Sequence, residues 1–168
     1  MRIIGLAGWS GSGKTTLLTA ILPQLVARGL EVSTIKHAHH AFDIDRPGKD
    51  SWRHRQAGAS EVMLASARRW AIMRELRDAP EPSLDELVAR MRPVDLLLVE
   101  GWKHHPHPKI EVHRPALGKP LIYPGDPHVV AIAADEPLPA PLPLLPLGDP
   151  TAVAAFIWDH LGFGPWRS

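Results

Sequence analysis

Apolar runs alternate along the chain with glycine-rich or polar segments, in the order expected of an α/β protein. Arg2–Ala7 is a short apolar run, which predicts a strand buried on both faces of a sheet. From Lys14 to Arg28 the apolar residues recur at helical spacing, and Gly29 suits the end of that helix. Glu31–Ile35 predicts a second strand, so the chain opens with a βαβ unit.

The same alternation continues to the end of the chain. The predicted elements are a short helix over Lys49–Ala57, strand-like runs over Glu61–Ala65 and Trp70–Met73 that can form a hairpin, a helix over Ser83–Met91, strands over Val94–Val99 and Val129–Ala134, and a helix that begins at Asp149-Pro150. The proline-rich run Pro137–Pro146 cannot form a regular helix. It is either a disordered linker or, as its leucines favour, an extended segment packed on the sheet. We therefore expect one α/β domain over residues 1–168, with a mostly parallel sheet and a β-hairpin extension.

The segment between the first strand and the first helix carries the strongest chemical signal. Gly8-Trp9-Ser10-Gly11-Ser12-Gly13-Lys14-Thr15 matches the phosphate-binding P-loop pattern. Glycines let the main chain approach an anion, and the amides at the start of the helix point at it. The expected phosphate-binding residues are Trp9, Ser10, Gly11, Ser12, Gly13, Lys14, Thr15 and Thr16. The motif in this setting predicts the three-layer α/β/α fold of a P-loop NTPase.

Acidic residues follow two of the predicted strands, at the sheet edge where ligands bind in α/β proteins. Glu100 follows the apolar run Val94–Val99, and we expect it to hold Mg²⁺ together with the hydroxyl of Thr15, directly or through water. Asp45 is an additional candidate for the Mg²⁺ shell. Asp135 follows Val129–Ala134 and can accept hydrogen bonds from N1–H and the amine of guanine, which would select GTP over ATP. A turn-forming aspartate is an equal alternative there.

Two histidine-rich segments follow strands at the same predicted edge. Candidate contacts for an anionic pterin ligand or a partner protein are Lys36, His37, His40, Asp43 and Lys103. Transition-metal binding is a second interpretation, because imidazole suits zinc and nickel, but the spacing of the histidines is not that of a fixed metal site. A solvated loop is the third.

The composition narrows the classes of partner. The formal net charge is +1, which does not favour nucleic acid as a ligand. There is no cysteine, and no apolar run approaches the roughly 20 residues that span a bilayer. We therefore expect a cytoplasmic protein that binds neither nucleic acid nor membrane.

Several motifs together resemble the MobB family of molybdopterin-guanine dinucleotide biosynthesis proteins, over nearly the whole chain. They are Gly8–Thr16, Ile35-Lys36-His37 with His40 and Asp43, Pro47–Ser51 with Arg55 and Ala57–Ala59, Leu98–Lys103, and the helix from Asp149-Pro150.

The resemblance implies a SIMIBI-class P-loop GTPase that binds GTP with Mg²⁺, hydrolyses it weakly at most, and forms a homodimer. It also implies an adapter role beside a MobA-type guanylyltransferase, which joins GMP to molybdopterin, and it favours Asp135 as the guanine-binding residue, although the Asn-Lys-x-Asp motif is absent. A P-loop small-molecule kinase and a metallochaperone GTPase are the alternative functions.

Overall fold

The computed structural model describes residues 1–38 and 42–166. Its elements in chain order are β1 (Arg2–Ala7), α1 (Lys14–Val26), β2 (Val32–Lys36), α2 (Asp50–Gln56), β3 (Glu61–Ala65), β4 (Trp70–Arg74), α3 (Leu84–Val88), β5 (Leu96–Glu100), β6 (Lys109–His113), β7 (Val129–Ala134), β8 (Leu144–Pro146) and α4 (Pro150–His160). They fall into two compact units, one from the described parts of 1–37 and 91–168, the other from those of 38–90. The single domain expected over 1–168 stays a prediction. In the described part of the chain, no helix is long and apolar enough to cross a membrane.

The first unit is built on a six-stranded sheet with the strand order β2-β5-β1-β6-β7-β8. Every strand pair in it is parallel. The carboxyl ends of all six strands therefore meet at one edge, and the loops that follow them face the same region. This arrangement confirms the predicted α/β fold with its parallel sheet.

Helices α1 and α4 share one hydrophobic core with the sheet. Pro23 lies in the last turn of α1, as its missing amide favours, and Asp149 caps α4 by accepting hydrogen bonds from the amides of Thr151 and Ala152 at 3.0 and 3.1 Å. The core comprises Ile4, Leu6, Leu17, Leu18, Ile21, Leu25, Leu96, Leu98, Ile110, Val112, Ala131, Ala133, Leu147, Val153, Ala154 and Ile157.

The middle strand β6 carries buried charges between its apolar residues. Lys109 and Glu111 are fully buried, and because side chains alternate along a strand they point away from the face that Ile110 contributes to the core. Glu111 accepts hydrogen bonds from the amides of Ile122 and Tyr123 at 2.8 and 2.9 Å. The buried Glu111 carboxylate thus holds the irregular segment at Ile122 and Tyr123 against the sheet.

The second unit contains an antiparallel hairpin in which β3 and β4 pair from Glu61↔Arg74 to Ala65↔Trp70. This confirms the predicted hairpin. Its helix α3 starts with a capping box, in which Ser83 and Glu86 exchange side-chain-to-amide hydrogen bonds of 2.8 and 3.3 Å.

Two strands were missed by the sequence patterns, and some boundaries moved. The predicted strand Val94–Val99 is β5, which begins later and ends at Glu100, and the helix predicted over Ser83–Met91 ends at Val88. Strand β6 was not predicted, although its alternation of polar and apolar residues is the pattern of a half-buried strand. The run Pro137–Pro146 contains β8, so the extended interpretation was correct, although β8 pairs at the sheet edge rather than lying on a face.

Candidate functional site

The phosphate loop connects β1 to α1 at the carboxyl edge of the sheet. Gly8 is required there, because a Cβ at this position would lie 2.5 Å from the carbonyl oxygen of Val112. Gly13 caps the helix with a φ of 97°, in the left-handed region that favours glycine. The first helical hydrogen bond runs from the amide of Leu17 to the Gly13 carbonyl at 2.9 Å, so the amides of the first helical turn have no helical acceptor and can face an anion. The Ser12 amide donates to the Trp9 carbonyl at 3.2 Å within the loop.

Lys14 is folded over this loop. Its ammonium donates hydrogen bonds to the carbonyl oxygens of Gly8 and Trp9 at 3.0 and 2.9 Å. Burial lowers the pKa of Lys14, Glu100 opposes that effect, and the nearby cations Lys103 and Lys36 add to it. The hydrogen-bond acceptors of this ammonium are neutral carbonyl oxygens, and a bound phosphate would give it a negative counter-charge. The loop is therefore electrostatically suited to an anion.

The other side of the loop brings three polar side chains together. The hydroxyl of Thr15 donates to Oε1 of Glu100 at 2.6 Å, and the Lys36 ammonium lies 3.1 Å from that oxygen and 3.2 Å from the Thr15 hydroxyl. The Glu100 carboxylate is buried, whereas the Lys36 side chain is 57% exposed. Strand pairing sets this contact, because Lys36 is in register with Glu100 across β2 and β5.

The Thr15 and Glu100 oxygens fit Mg²⁺, which prefers hard oxygen ligands and commonly takes only one or two from the protein. Among the residues that the structure describes, no three histidines or carboxylates form a group that could hold a metal by themselves. Phosphate oxygens and water would therefore complete the magnesium shell. The same observation gives no support to a transition-metal site in the described histidine segments.

A second cluster lies beside the phosphate loop. Arg114, which follows β6, donates from Nε to the carbonyl oxygen of Ser12 at 3.2 Å, and its Nη1 lies 3.4 Å from Oδ2 of Asp135. Arg114 also lines a small cavity of about 70 Å³ together with Thr16, Leu147 and Pro150. The cavity thus adjoins the phosphate loop and the loops after β6 and β8.

Trp9 projects from the phosphate loop over a basic surface. Its indole Nε1 donates to the carbonyl oxygen of Pro120 at 2.8 Å. The ammonium of Lys103 lies 4.2 Å from the ring centroid, a cation–π distance, and that of Lys119 lies 6.0 Å away. The ring is therefore fixed beside two cations at the phosphate end of the site.

The segment after Glu100 is held by a buried ammonium. Nζ of Lys109 donates to the carbonyl oxygens of Lys103 and His105 at 2.9 and 2.7 Å and to the Asp126 carboxylate at 2.6 Å. Burial works against ionisation of Asp126, but hydrogen bonds from Lys109 and from the amide of His128 hold its pKa below the usual value. The backbone of the 103–105 segment is thereby fixed next to Glu100.

The predicted site residues fall into four groups, one of which is Asp135 alone, beside Arg114. The phosphate-loop residues, Glu100, Lys36 and Lys103 lie at one end of the first unit, and the His37 ring packs at a tilt against Trp102, with ring centroids 4.8 Å apart. Asp43 and Asp45 lie in the second unit, paired with Arg55 at 2.7 and 3.3 Å. His40 lies outside the described residues. The assigned roles of all these residues stay predictions.

Arg114 is the site residue that the sequence patterns missed. It directly follows β6, so its place at the carboxyl edge becomes visible only when that strand is recognised. The available signal was the alternation of polar and apolar residues over Lys109–His113, which lies between Pro108 and Pro115.

The family model described as "Molybdopterin guanine dinucleotide synthesis protein B", MobB, matches residues 3–135. The chain belongs to the MobB family. The molybdopterin-guanine dinucleotide biosynthesis adapter protein of Haemophilus influenzae is 47% identical over 163 residues, covering 94% of this chain and 89% of that protein. The protein of the same name from Escherichia coli K12 is 44% identical over 162 residues, covering 95% and 93%.

Solved structures agree with this membership. The crystal structure of a molybdopterin-guanine biosynthesis protein B superposes with a TM-score of 0.75 at 28% identity, covering 95% of this chain and 99% of that chain. Bacillus subtilis MobB superposes with a TM-score of 0.75 at 24% identity, a likeness of fold that covers 98% of this chain. The site described above therefore lies in the nucleotide-binding P-loop fold of the MobB family.

Proposed function

We propose that this chain is an adapter protein that binds GTP with Mg²⁺ and assists the conversion of molybdopterin to molybdopterin guanine dinucleotide. The observation that carries the proposal is the phosphate loop, with the Lys14 ammonium over it and the Thr15–Glu100 pair beside it. Membership of the MobB family, and relatives named as biosynthesis adapter proteins, support the adapter role.

In this proposal different residues bind the phosphates, the metal ion and the base of the nucleotide. The loop residues Trp9, Ser10, Gly11, Ser12, Gly13, Lys14, Thr15 and Thr16 bind the phosphates. Thr15 and Glu100 hold Mg²⁺, with Asp45 as an additional candidate, and the metal neutralises phosphate charge when bound. Asp135 accepts the two hydrogen bonds from guanine that adenine cannot donate.

We expect hydrolysis of GTP to be slow. From the sequence alone, no residue can be assigned to orient the attacking water, and no arginine can be placed opposite the phosphates. Nucleotide binding, rather than turnover, would then be the property that the adapter uses. The alternative of a small-molecule kinase would need arginines that close over the phosphates, and Arg55 and Arg74 in the second unit instead form ion pairs with acidic neighbours.

The proposed partners are a second copy of the chain, in a homodimer, and a MobA-type guanylyltransferase in the cytoplasm. Molybdopterin is a further candidate ligand, and the proposed contacts to it or to the partner enzyme are Lys36, His37, His40, Asp43 and Lys103. The cationic groups of Lys36 and Lys103 near the phosphate loop suit an anionic ligand.

Calorimetric titration with GTP and ATP in the presence of Mg²⁺ tests the nucleotide assignment. We expect GTP to bind more tightly than ATP, and Lys14→Ala to weaken GTP by roughly tenfold or more, because it removes a charge-assisted contact to phosphate. Lys119→Ala, a nearby lysine outside the loop, is the matched control and should change GTP affinity far less. Equal affinities for GTP and ATP would refute the guanine assignment.

The adapter role needs a separate assay. Purified chain is added to a MobA-type guanylyltransferase with molybdopterin and GTP, and formation of the dinucleotide is followed by chromatography. Stimulation by the wild type and a weaker effect of Lys14→Ala are expected. No stimulation by a wild-type chain that binds GTP would remove the adapter role while leaving the nucleotide assignment intact.

A further inference from the structure

One cation lies at the two oxygens that best fit a magnesium ion. The Lys36 ammonium is 3.1 Å from Oε1 of Glu100 and 3.2 Å from the hydroxyl of Thr15, and these two oxygens are themselves 2.6 Å apart. The three groups form a closed triangle of short polar contacts. A site proposed for a divalent cation thus already holds a monovalent one that belongs to the chain.

The position of Lys36 follows from the sheet. Strand β2 pairs in parallel with β5, and Lys36 is the residue in register with Glu100 at the carboxyl end of both. The amide of the next residue, His37, donates to the Glu100 carbonyl at 2.9 Å, which fixes the backbone at this level. The ammonium is therefore delivered to the carboxylate by the strand register, not by a mobile loop.

Burial gives the contact its energetic importance. The Glu100 side chain is only 8% exposed, and a buried carboxylate without a counter-charge is strongly unfavourable. Lys14 also acts on this region, but its ammonium is bound to the carbonyl oxygens of Gly8 and Trp9. Among the contacts given for the described residues, Lys36 is thus the cation that touches Glu100, and its 57% exposed side chain leaves it a path into solvent.

We propose that Lys36 is a tethered cation that balances Glu100 when no metal is bound and leaves when Mg²⁺ binds, so that it sets how strongly nucleotide affinity depends on Mg²⁺. This inference rests on the proposed function. An ammonium and a divalent cation cannot share the same two oxygens, because both need their lone pairs and the like charges repel each other at that distance.

The role has two opposite effects on binding. Without the metal, Lys36 offsets the repulsion between Glu100 and the phosphates, which favours nucleotide binding. With the metal, the contact between Lys36 and Glu100 must be broken, which opposes metal binding. Lys36 therefore narrows the difference between nucleotide affinity in Mg²⁺ and in a chelator.

Replacing Lys36 with methionine, which keeps the length of the stem and removes the charge, tests this. GDP affinity is measured by calorimetry in excess Mg²⁺ and in EDTA for wild type and Lys36→Met. We expect the ratio of the two affinities to be about tenfold larger in Lys36→Met, the factor for one lost hydrogen bond between charged groups. Lys36→Arg, which keeps the cation, should stay close to wild type.

Two controls separate this role from a general loss of positive charge. Lys119→Met removes a charge near Trp9 that does not contact Glu100 among the interactions described, and it should leave the ratio unchanged. In a Glu100→Gln background, Lys36→Met should no longer enlarge the ratio, because the charge that Lys36 balances is gone. Circular dichroism confirms that each variant is folded.

A ratio in Lys36→Met equal to or smaller than that of wild type would overturn the inference while GDP binding itself supports the proposed function. If wild type binds no guanine nucleotide, the proposed function fails, and titration with Mn²⁺ alone still decides the inference. Free Mn²⁺ is followed by electron paramagnetic resonance. Tighter Mn²⁺ binding by Lys36→Met than by wild type supports the tethered cation, and equal or weaker binding rejects it.

Discussion

Arg114 joins the phosphate loop to Asp135: its Nε donates to the carbonyl oxygen of Ser12 at 3.2 Å while its Nη1 lies 3.4 Å from Oδ2 of the aspartate. The guanidinium therefore restrains the carboxylate proposed to bind guanine and ties it to the loop that binds phosphate. Both side chains are partly exposed, so we attribute to this pair an orienting effect rather than a large contribution to stability.

Removal of Arg114 should therefore weaken base selection more than phosphate binding. In Arg114→Ala the preference for GTP over ATP is expected to fall several-fold, up to about tenfold, because the carboxylate loses its orientation. Asp135→Asn should lower the preference further and improve binding of xanthosine triphosphate, whose base can accept where guanine donates. Calorimetric affinities for the three nucleotides provide the measurement.

The neighbouring acid Glu136 supplies the matched control. Glu136→Gln removes a carboxylate one residue away and should leave the GTP preference unchanged. In an Asp135→Asn background, Arg114→Ala should have no further effect on selectivity, since it acts through the missing carboxylate. An unchanged GTP preference in Arg114→Ala would show that the contact does not serve base selection.

The parts of the fold that follow a linear rule could be predicted from the sequence. Strand β1 and helix α1 coincide with an apolar run and a helical repeat, and the glycine motif between them defines the phosphate loop. Glu100 was found for the same reason, because it directly follows an apolar strand. These features depend on neighbours in sequence, so local pattern is sufficient.

The alternation of polar and apolar residues in β6 is a local signal that was missed, whereas the burial of its polar residues depends on contacts that are distant in sequence. Lys109 and Glu111 are polar, yet both are buried, since Asp126 and the amides of Ile122 and Tyr123 satisfy them. Such alternation predicts a strand with one polar, solvent-facing side, so the burial of Lys109 and Glu111 could not be predicted from it. Arg114, which follows this strand, was missed with it.

The place of Lys36 also depended on a distant contact. Its strand was predicted, but its register against β5 is set by tertiary pairing, and that register brings Lys36 to Glu100. Strand β8 was hidden for another reason. Pro146 lies within it, and proline is tolerated in a strand at the edge of a sheet, where one amide need not pair.

Trp9 should report nucleotide binding by fluorescence. Its indole is bound to the Pro120 carbonyl and lies beside the Lys103 ammonium, inside the loop proposed to contact phosphate. Adding GTP with Mg²⁺ should change the emission intensity of wild type, and Trp9→Phe should lose that change. Trp70→Phe, in the hairpin of the second unit, is the matched control and should keep it. A full signal in Trp9→Phe would mean that another tryptophan reports the binding.

Lys109 should be important for stability. Replacing it with methionine removes a fully buried ammonium and its three hydrogen bonds, to the Asp126 carboxylate and to the carbonyl oxygens of Lys103 and His105. Asp126 then keeps the amide hydrogen bond from His128 but loses its counter-charge. We expect the free energy of unfolding to fall by about 3–5 kcal/mol, as when one partner of a buried ion pair is deleted. Urea denaturation followed by circular dichroism measures it.

Asp126→Asn offers the comparison for that prediction, because it keeps an acceptor for Lys109 while removing the charge. It should cost less than Lys109→Met. The double variant should be more stable than the sum of the two single losses predicts, because each residue is the other's partner. Additive losses would mean that the two groups do not act on each other.

His107 should make stability fall as the pH is lowered. Burial, followed by the charges of Lys109 and His105, lowers the pKa of His107 to about 4 from an ordinary value of 6.5. Its ring packs against Gly5, where an added Cβ would lie 2.3 Å from Nε2, and that nitrogen is buried without a hydrogen-bond partner in the described structure. A charged imidazole is therefore unfavourable in the folded state.

The direction of the pH dependence of stability follows from the protons that His107 binds in the folded and unfolded chain. Between pH 6.5 and about 4 the unfolded chain binds a proton at His107 that the folded chain does not, so stability rises with pH in this window and is lost on acidification. The difference between the folded and unfolded pKa values of His107 corresponds to at most roughly 3 kcal/mol of folding stability. Urea unfolding at pH 7 and pH 4.5 should show a smaller loss for His107→Gln than for wild type, while the exposed neighbour His104→Gln should behave as wild type. The other titrating groups cancel in this comparison, so an equal acid loss in His107→Gln and wild type would show that the buried imidazole does not resist protonation.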